Sequence, residues 1–239
     1  MRIAVTGSTG RIGGRVCQLL AEAGQPDVVG LSSRNAPYDD PAALRAALAG
    51  VDTLVFVSSD GEAARIVVHH RNVIDAAVHC GVRHVVLLSG LDVDPASPFC
   101  YAFTNGDTER MLRASGCPYS VVRAGLFTEF FVGLIHQVAV DGVVAIPAGD
   151  AEVSLVSREE VARSLADLAL RAPTNRHHDV TGPECRPVRD VVADAGYSTV
   201  DATPAEFAIA LHRLGEEPWW IYAYTTMLES VRQGRWATR

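Results

Sequence analysis

The sequence predicts a doubly wound α/β fold on a parallel sheet, and three observations predict it. Short β-branched runs alternate with amphipathic helical stretches through the first half of the chain. The first run leads straight into a glycine-rich loop, and the helical stretches are long enough to carry crossovers between parallel strands. The elements follow in order. Residues 2–6 (RIAVT) form a strand. Residues 11–23 carry Ile12, Val16, Leu19 and Leu20 at helical spacing and stop at Gly24. Residues 28–32 form a second strand, and residues 41–48 an alanine-rich helix with proline in its first turn. A strand at 53–57, a helix at 62–80 closed by Gly81, a strand at 84–88, a helix at 104–115 closed by Gly116 and a strand at 119–124 complete the βαβ series.

After Gly125 the rhythm loosens. Short strands fit 143–146, 153–156 and 178–181, and helices fit 158–170, 188–195, 204–214 and 219–231. This half reads as the last sheet elements mixed with a small C-terminal helical lobe, and the tail GRWATR is expected to fray. The expected organisation is one domain over 1–239, with a substrate-side lobe formed mainly by 126–150 and 178–239.

Composition narrows the class. The 239 residues suffice for one well-buried domain, and 48% hydrophobic with 21% charged residues is an ordinary globular balance. A net charge of −7 argues against nucleic acid or an anionic membrane as partner. The apolar stretch 130–140 is broken by His136 and Gln137, so nothing is expected to span a membrane, and MRIAVTG is a strand, not a signal core. A cytoplasmic location is expected. Cys17, Cys80, Cys100, Cys117 and Cys185 are odd in number and form no C-x-x-C pair, so they read as scattered side chains in a reducing compartment. His69–His70 and His177–His178 lack ligand spacing, and no metal is expected.

The segment TGSTGRIGG places Gly7, Gly10 and Gly13 at the spacing G-x-x-G-x-x-G between a strand and an amphipathic helix. Gly7 allows a tight turn, Gly10 lets backbone approach a pyrophosphate, and Gly13 lets the helix pack close to the strand. The helix N-terminus offers free N–H groups to phosphates. Gly7, Ser8, Thr9, Gly10, Arg11, Ile12 and Gly13 are therefore candidate cofactor residues, and the fold is of Rossmann type. Where an NAD site carries an acid, some 20 residues on, this chain has Ser32, Ser33 and Arg34. An arginine there suits a 2′-phosphate, so Ser33 and Arg34 point to NADP(H).

Taken with SSRN, YDDPAALRAALAGVDTLVFVSS, NVIDAAVHCGVRHVVLLSG, TERMLRASGCPYSVVRAGLFTEFF, VSREEVARSLADLAL and DVTGPE, the chain resembles the NmrA-like atypical short-chain dehydrogenase/reductases. The resemblance is nearest to the bacterial NADPH-dependent quinone oxidoreductase and triphenylmethane reductase group. It implies that Val57, Ser58 and Ser59 line the adenosine side and that Ser89 and Gly90 lie beside the nicotinamide ribose. It also implies that Ala124, Gly125, Leu126 and Phe127 wall the nicotinamide and the substrate. There are departures. Only Asn35, Ala36 and Pro37 separate Arg34 from Tyr38, where relatives carry a further helix and strand. Ala36-Pro37 also replaces a Gly-Asp pair that helps hold adenine, so a more open adenine pocket is expected.

Many short-chain dehydrogenases use serine with Y-x-x-x-K, the lysine lowering the tyrosine pKa. Here the arrangement is Tyr101 and Asn105, with Ser89 as the serine counterpart. These three are the catalytic candidates, a packing role for Tyr101 being equally open. Asn105 can hydrogen-bond a ribose but brings no positive charge. An electron-poor quinone needs less acid assistance than a ketone. The expected function is NADPH-dependent hydride transfer to a quinone or related conjugated carbonyl, with a flat aromatic or quinonoid small-molecule partner near Phe127. An NADP(H)-reading regulator, or a biosynthetic enzyme acting on a polycyclic or carbonyl substrate, are the alternatives. Formation of a homo-oligomer is left open. Glu129 is expected to order its loop, Asp92 and Asp94 to be solvated, and Phe130, Phe131, Trp219 and Trp220 to pack in the core.

Overall fold

The computed structural model describes residues 1–238. In chain order its elements are β1 (Ile3–Val5), α1 (Arg11–Glu22), β2 (Val28–Gly30), α2 (Pro41–Leu48), β3 (Thr53–Phe56), α3 (Ala63–His79), β4 (His84–Gly90), α4 (Cys100–Ala114) and β5 (Tyr119–Ala124). There follow β6 (Leu126–Phe127), α5 (Thr128–Val138), β7 (Val143–Ile146), β8 (Glu152–Val156), α6 (Arg158–Ala169) and β9 (His177–Val180). The last are β10 (Cys185–Pro187), α7 (Val188–Asp194), β11 (Ser198–Asp201), α8 (Pro204–Arg213) and α9 (Pro218–Arg232). The chain divides into two compact units. One comprises Met1–Gly90, Thr104–Ala124 and Arg158–Val180; the other comprises Leu91–Phe103, Gly125–Ser157 and the stretch from Thr181 onward.

The first unit holds six parallel strands in the order β2-β1-β3-β4-β5-β9. β1 and β3 are buried at every residue, as a parallel sheet covered on its faces requires. α1 packs with α6, and α2 with α3. Leu44 and Leu48 of α2, Val73 and Ala77 of α3 and Leu112 of α4 close one core against Leu54, Phe56, Val85 and Leu87. β2 is one edge of this sheet, and among the described residues no further helix or strand lies between it and α2. The winding reverses between β1 and β3, and in such sheets the crevice beyond those strand ends is where ligands bind.

Local chemistry sets the turn into α2. Asn35 Oδ1 accepts from the Ser32 N–H at 2.7 Å, and its amide donates to the Gly30 carbonyl at 3.2 Å. Asp40 then caps α2 by accepting from the N–H groups of Ala42 and Ala43, with Pro41 behind it. α4 starts at Cys100, four residues before the expected Thr104, because the chain already turns at Ser97–Phe99 and Ala102 N–H reaches the Phe99 carbonyl at 3.0 Å.

The second unit carries more than helices. A three-stranded sheet runs β10-β8-β6, and β11 pairs with β7 in parallel. The sequence signals none of β6, β10 and β11. β6 has two residues, β10 ends in proline, and β11 (STVD) is polar and largely exposed, so none shows apolar alternation. Gly125 marks a close approach: a Cβ there would stand 2.5 Å from the Ser154 carbonyl oxygen.

The tail corrects the expectation of fraying. Trp236 is 3% exposed and packs edge-on to Phe99. Its indole donates to Ser230 Oγ at 2.6 Å, and its carbonyl accepts from the Ser154 N–H at 2.8 Å. Arg235 reaches Asp94 at 2.7 Å, so Asp94 is ion-paired and Asp92 beside it is buried. A large aromatic near the end of the stretch was the sign that it docks. Arg239, the last residue of GRWATR, lies outside the described residues.

Two histidines are enclosed as neutral rings in the first unit. Burial lowers the pKa of His70 to about 3 and that of His84 to about 4. Unfolding returns both to about 6.5, so the unfolded chain binds more protons as pH falls. The stability they contribute is complete above about pH 6.5 and is lost progressively on acidification toward those lowered values. The melting temperature should therefore fall between pH 7 and pH 4, and fall less in a His70→Gln, His84→Asn double variant. Equal slopes in calorimetric scans of the two proteins would refute this.

Candidate functional site

Gly7 leaves β1 with φ of +63°, and the loop turns back at once: Gly10 N–H donates to the Gly7 carbonyl at 2.8 Å. Gly10 is the N-cap of α1 and supplies no capping side chain. The first-turn N–H groups of α1 therefore face outward uncapped, with the positive end of the helix dipole behind them. A Cβ at Gly13 would lie 2.4 Å from the Gly7 carbonyl oxygen and 2.6 Å from that of Thr6. No side chain fits there, and this brings α1 against the end of β1. Thr6 ties that end to β3: Val57 N–H donates to Thr6 Oγ1 at 2.9 Å.

Val57 is a junction. Its carbonyl also accepts from Tyr38 Oη at 2.8 Å, and Asn72 Nδ2 donates to the Tyr38 carbonyl at 2.9 Å. Tyr38 stands edge-on to Phe56 and to His69, and its burial raises the phenol pKa. Beyond Val57, Ser58 Oγ donates to the Leu88 carbonyl at 2.7 Å.

These ties enclose a cavity of about 620 Å³. Its floor is the glycine loop, with Gly7, Thr9, Gly10, Arg11, Ile12 and Gly13. One wall is Ser32, Ser33, Ala36, Pro37, Tyr38 and Asp39; the other is Val57, Ser58, Ser59 and Asp60 with Arg65 and His69 of α3. The structure thus brings together most of the residues assigned to the cofactor from sequence. Seven lie outside the lining: Ser89, Gly90, Ala124, Gly125 and Phe127, assigned to the nicotinamide side, and Ser8 and Arg34. Ser8 is spent on β2, its Oγ donating to the Leu31 carbonyl at 3.0 Å. Arg34 is exposed beside the cavity and forms no ion pair among the described residues. Arg65, Tyr38, Asp39, Asp60 and His69 were missed. They come from the turns after β2 and β3 and from α3, where only the strand order reveals which turns share a crevice.

An uncapped helix end, a backbone cradle that excludes Cβ atoms, and arginines at the rim fit a dinucleotide's phosphates. The apolar surfaces of Ala36, Pro37 and Val57 fit a base.

At the ends of β4 and β5, Gly90 pairs in register with Ala124 and Ser89 with Arg123. Ser89 is not a free acid. Its hydroxyl donates to Glu109 Oε1 at 2.9 Å. The Glu109 side chain, 2% exposed, is gripped by Arg123 through Nε at 2.9 Å and Nη2 at 2.7 Å, and by Arg113 at 3.2 Å. A carboxylate only accepts, so the Ser89 hydrogen is committed and its oxygen is left to accept. Asn105 is half-buried on α4. The chain contains no lysine, so no lysine stands near any tyrosine.

In the second unit Tyr101 packs on Phe99 and Trp219, and its oxygen accepts from Trp219 Nε1 at 3.3 Å. Phe127 is half-buried ahead of α5, and Gly125 is buried. Phe131 is wholly buried, and Phe130 lies 5.8 Å from the Tyr224 ring. Trp219 and Trp220 are only half-buried. Among the described residues no helix is long and apolar enough to cross a membrane.

A family model described as NAD(P)H-binding matches residues 30–172, starting at the end of β2 and leaving the glycine loop outside the match. Quinone oxidoreductase 2 of Escherichia coli is 30% identical over 89% of this chain and 82% of its own length. An NmrA-like family domain-containing oxidoreductase of Aspergillus flavus is 28% identical over 72% of this chain and 62% of its own. The crystal structure of an NADPH-dependent quinone oxidoreductase from Escherichia coli, in complex with NADPH, superposes with a TM-score of 0.89 at 26% identity. It covers 99% of this chain and 91% of that one.

Two glycine substitutions separate the cradle from helix propensity. Gly13→Ala forces α1 off β1 and should cost about 1–3 kcal/mol of stability, with loss of nucleotide binding. Gly133, inside α5 with open space around it, should instead tolerate alanine and gain up to about 1 kcal/mol. Denaturant unfolding measures both, and a Gly13→Ala protein of undiminished stability would contradict the packing described.

Proposed function

The chain belongs to the NAD(P)H-binding family and is an NmrA-like NAD(P)H-dependent oxidoreductase, and from that premise we propose that it uses NADPH to reduce a quinone or a related conjugated carbonyl. When bound, NADPH supplies the hydride. The residues that hold it in this reading are the loop Gly7–Gly13, with Ser33 and Arg34 at the 2′-phosphate and Val57, Ser58 and Ser59 on the adenosine side. Ser89, Gly90, Ala124, Gly125 and Phe127 serve the nicotinamide side. Absence of an acid at the end of β2 supports the phosphorylated nucleotide, because a carboxylate there would repel it.

One observation carries the choice of acceptor: the Ser89 hydrogen is held by Glu109. With that hydrogen committed and no lysine in the chain, the Ser89 and Asn105 pair offers weak acid assistance to an alkoxide forming on a ketone. An electron-poor quinone takes up charge into its ring and is protonated by water afterwards. Ser89, as an acceptor, suits a donor group of the cofactor, and Asn105 can hydrogen-bond a ribose hydroxyl. A flat aromatic molecule against Phe127 is the partner that this chemistry favours.

NADPH consumption across matched quinone and ketone panels tests the proposal, with deuterium at C4 of the cofactor to follow the transferred atom. Quinones should react faster, and Tyr101→Phe should cost little with them. Turnover of neither panel by a protein that binds NADPH would move the regulatory reading to first place. Arg34→Ala should weaken NADPH binding by about tenfold, the equivalent of about 1.4 kcal/mol, and leave NADH nearly unchanged. Equal weakening of both nucleotides would take Arg34 away from the 2′-phosphate.

A further inference from the structure

His70 lies outside the cavity lining and is bonded at both ends of its ring. It sits on α3, is 1% exposed, and stands edge-on to Phe56 at 5.0 Å. Its Nδ1 is 2.7 Å from Thr108 Oγ1, and its Nε2 is 3.2 Å from the backbone nitrogen of Ser59. The direction of each bond follows from what each group can do. Thr108 Oγ1 lies 2.6 Å from the Thr104 carbonyl, which only accepts, so the hydroxyl hydrogen points there. Nδ1 then carries the hydrogen that Thr108 accepts, and bare Nε2 accepts from the Ser59 N–H. Only the neutral ring in its Nδ1–H tautomer makes all three bonds. Burial favours that neutral state.

Ser59 belongs to the cavity wall, in a segment with no strand or helix between Phe56 and Ala63. Thr108 is on α4 beside Glu109, the residue that holds Ser89. Resting on the reading that this cavity takes the cofactor, we propose that His70 is a positioning residue for the nucleotide, fixing the Ser59 wall to α4 before the adenosine half arrives. A wall already held in place does not have to be ordered on binding, so affinity is gained without a direct contact.

Three measurements test this. Nitrogen-15 shifts of the His70 ring in the wild-type protein should report a protonated Nδ1 and a bare Nε2. His70→Asn keeps an amide where Nδ1 was but loses the acceptor for Ser59. It should raise the Kd for both NADPH and NADH by about tenfold, raising KM for NADPH while kcat at saturating NADPH holds. His70→Gln, whose carbonyl oxygen can reach the place of Nε2, should recover most of that loss. A role in stability alone would lower the melting temperature of both variants and leave these constants unmoved, which overturns the proposal. An Nε2–H tautomer in the wild-type spectrum also overturns it, even if His70→Asn fails to fold. A wild-type protein that binds neither nucleotide would overturn the reading of the cavity itself, whatever the tautomer.

Discussion

The close approach of α1 to the end of β1 is the constraint on which the rest depends. With no room for a Cβ at Gly13, the helix begins against the strand end, and its uncapped first turn opens into the crevice between β1 and β3. The surrounding bonds hold that crevice open. Thr6 joins β1 to β3, Tyr38 braces the Val57 carbonyl from the other wall, and the Asn35 and Asp40 side chains shape the turn from β2 to α2. A small set of local bonds thus converts a strand order into a crevice with the free N–H groups of a helix end at its floor.

The polar network at the other strand ends works through burial. Glu109 and Arg123 make a bidentate pair that is 2% and 17% exposed, and removing either partner from such a pair costs about 3–5 kcal/mol. The pair fixes the direction of one hydrogen bond, that of Ser89. An arginine holds its charge at any pH of interest, whereas lysine can be tuned to deliver a proton. With no lysine in the chain, its permanently charged side-chain cations are all arginine, which orient and bind but do not deliver protons.

The fold was legible in the sequence where periodicity and punctuation agreed. Strand Tyr119–Ala124 and strand Val143–Ile146 emerge with the expected bounds, and the glycine loop lies where its spacing places it. Elements too short or too polar to alternate, such as Leu126–Phe127 and Ser198–Asp201, carry no such signal. The site was legible along the loop and hidden across it. Gly7, Gly10 and Ser33 sit in recognisable positions, but Arg65 and Tyr38 join them only through the order of the strands. His70 lay in plain view and was set aside because its spacing matches no metal motif. Its two hydrogen-bond partners, Ser59 and Thr108, are 11 and 38 residues away, a relation that no local pattern encodes.

The docked tail bears on how the chain is made. Synthesis delivers residues from the N-terminus onward, and a compact unit can close only when its last member has emerged from the ribosome. The first unit has all its strands once Val180 is out. The core around Phe99 waits for Trp236, made more than a hundred residues after Phe99 itself. During that interval Phe99 and its apolar neighbours are without their final cover, a window in which a nascent chain is open to chaperones and to its own copies.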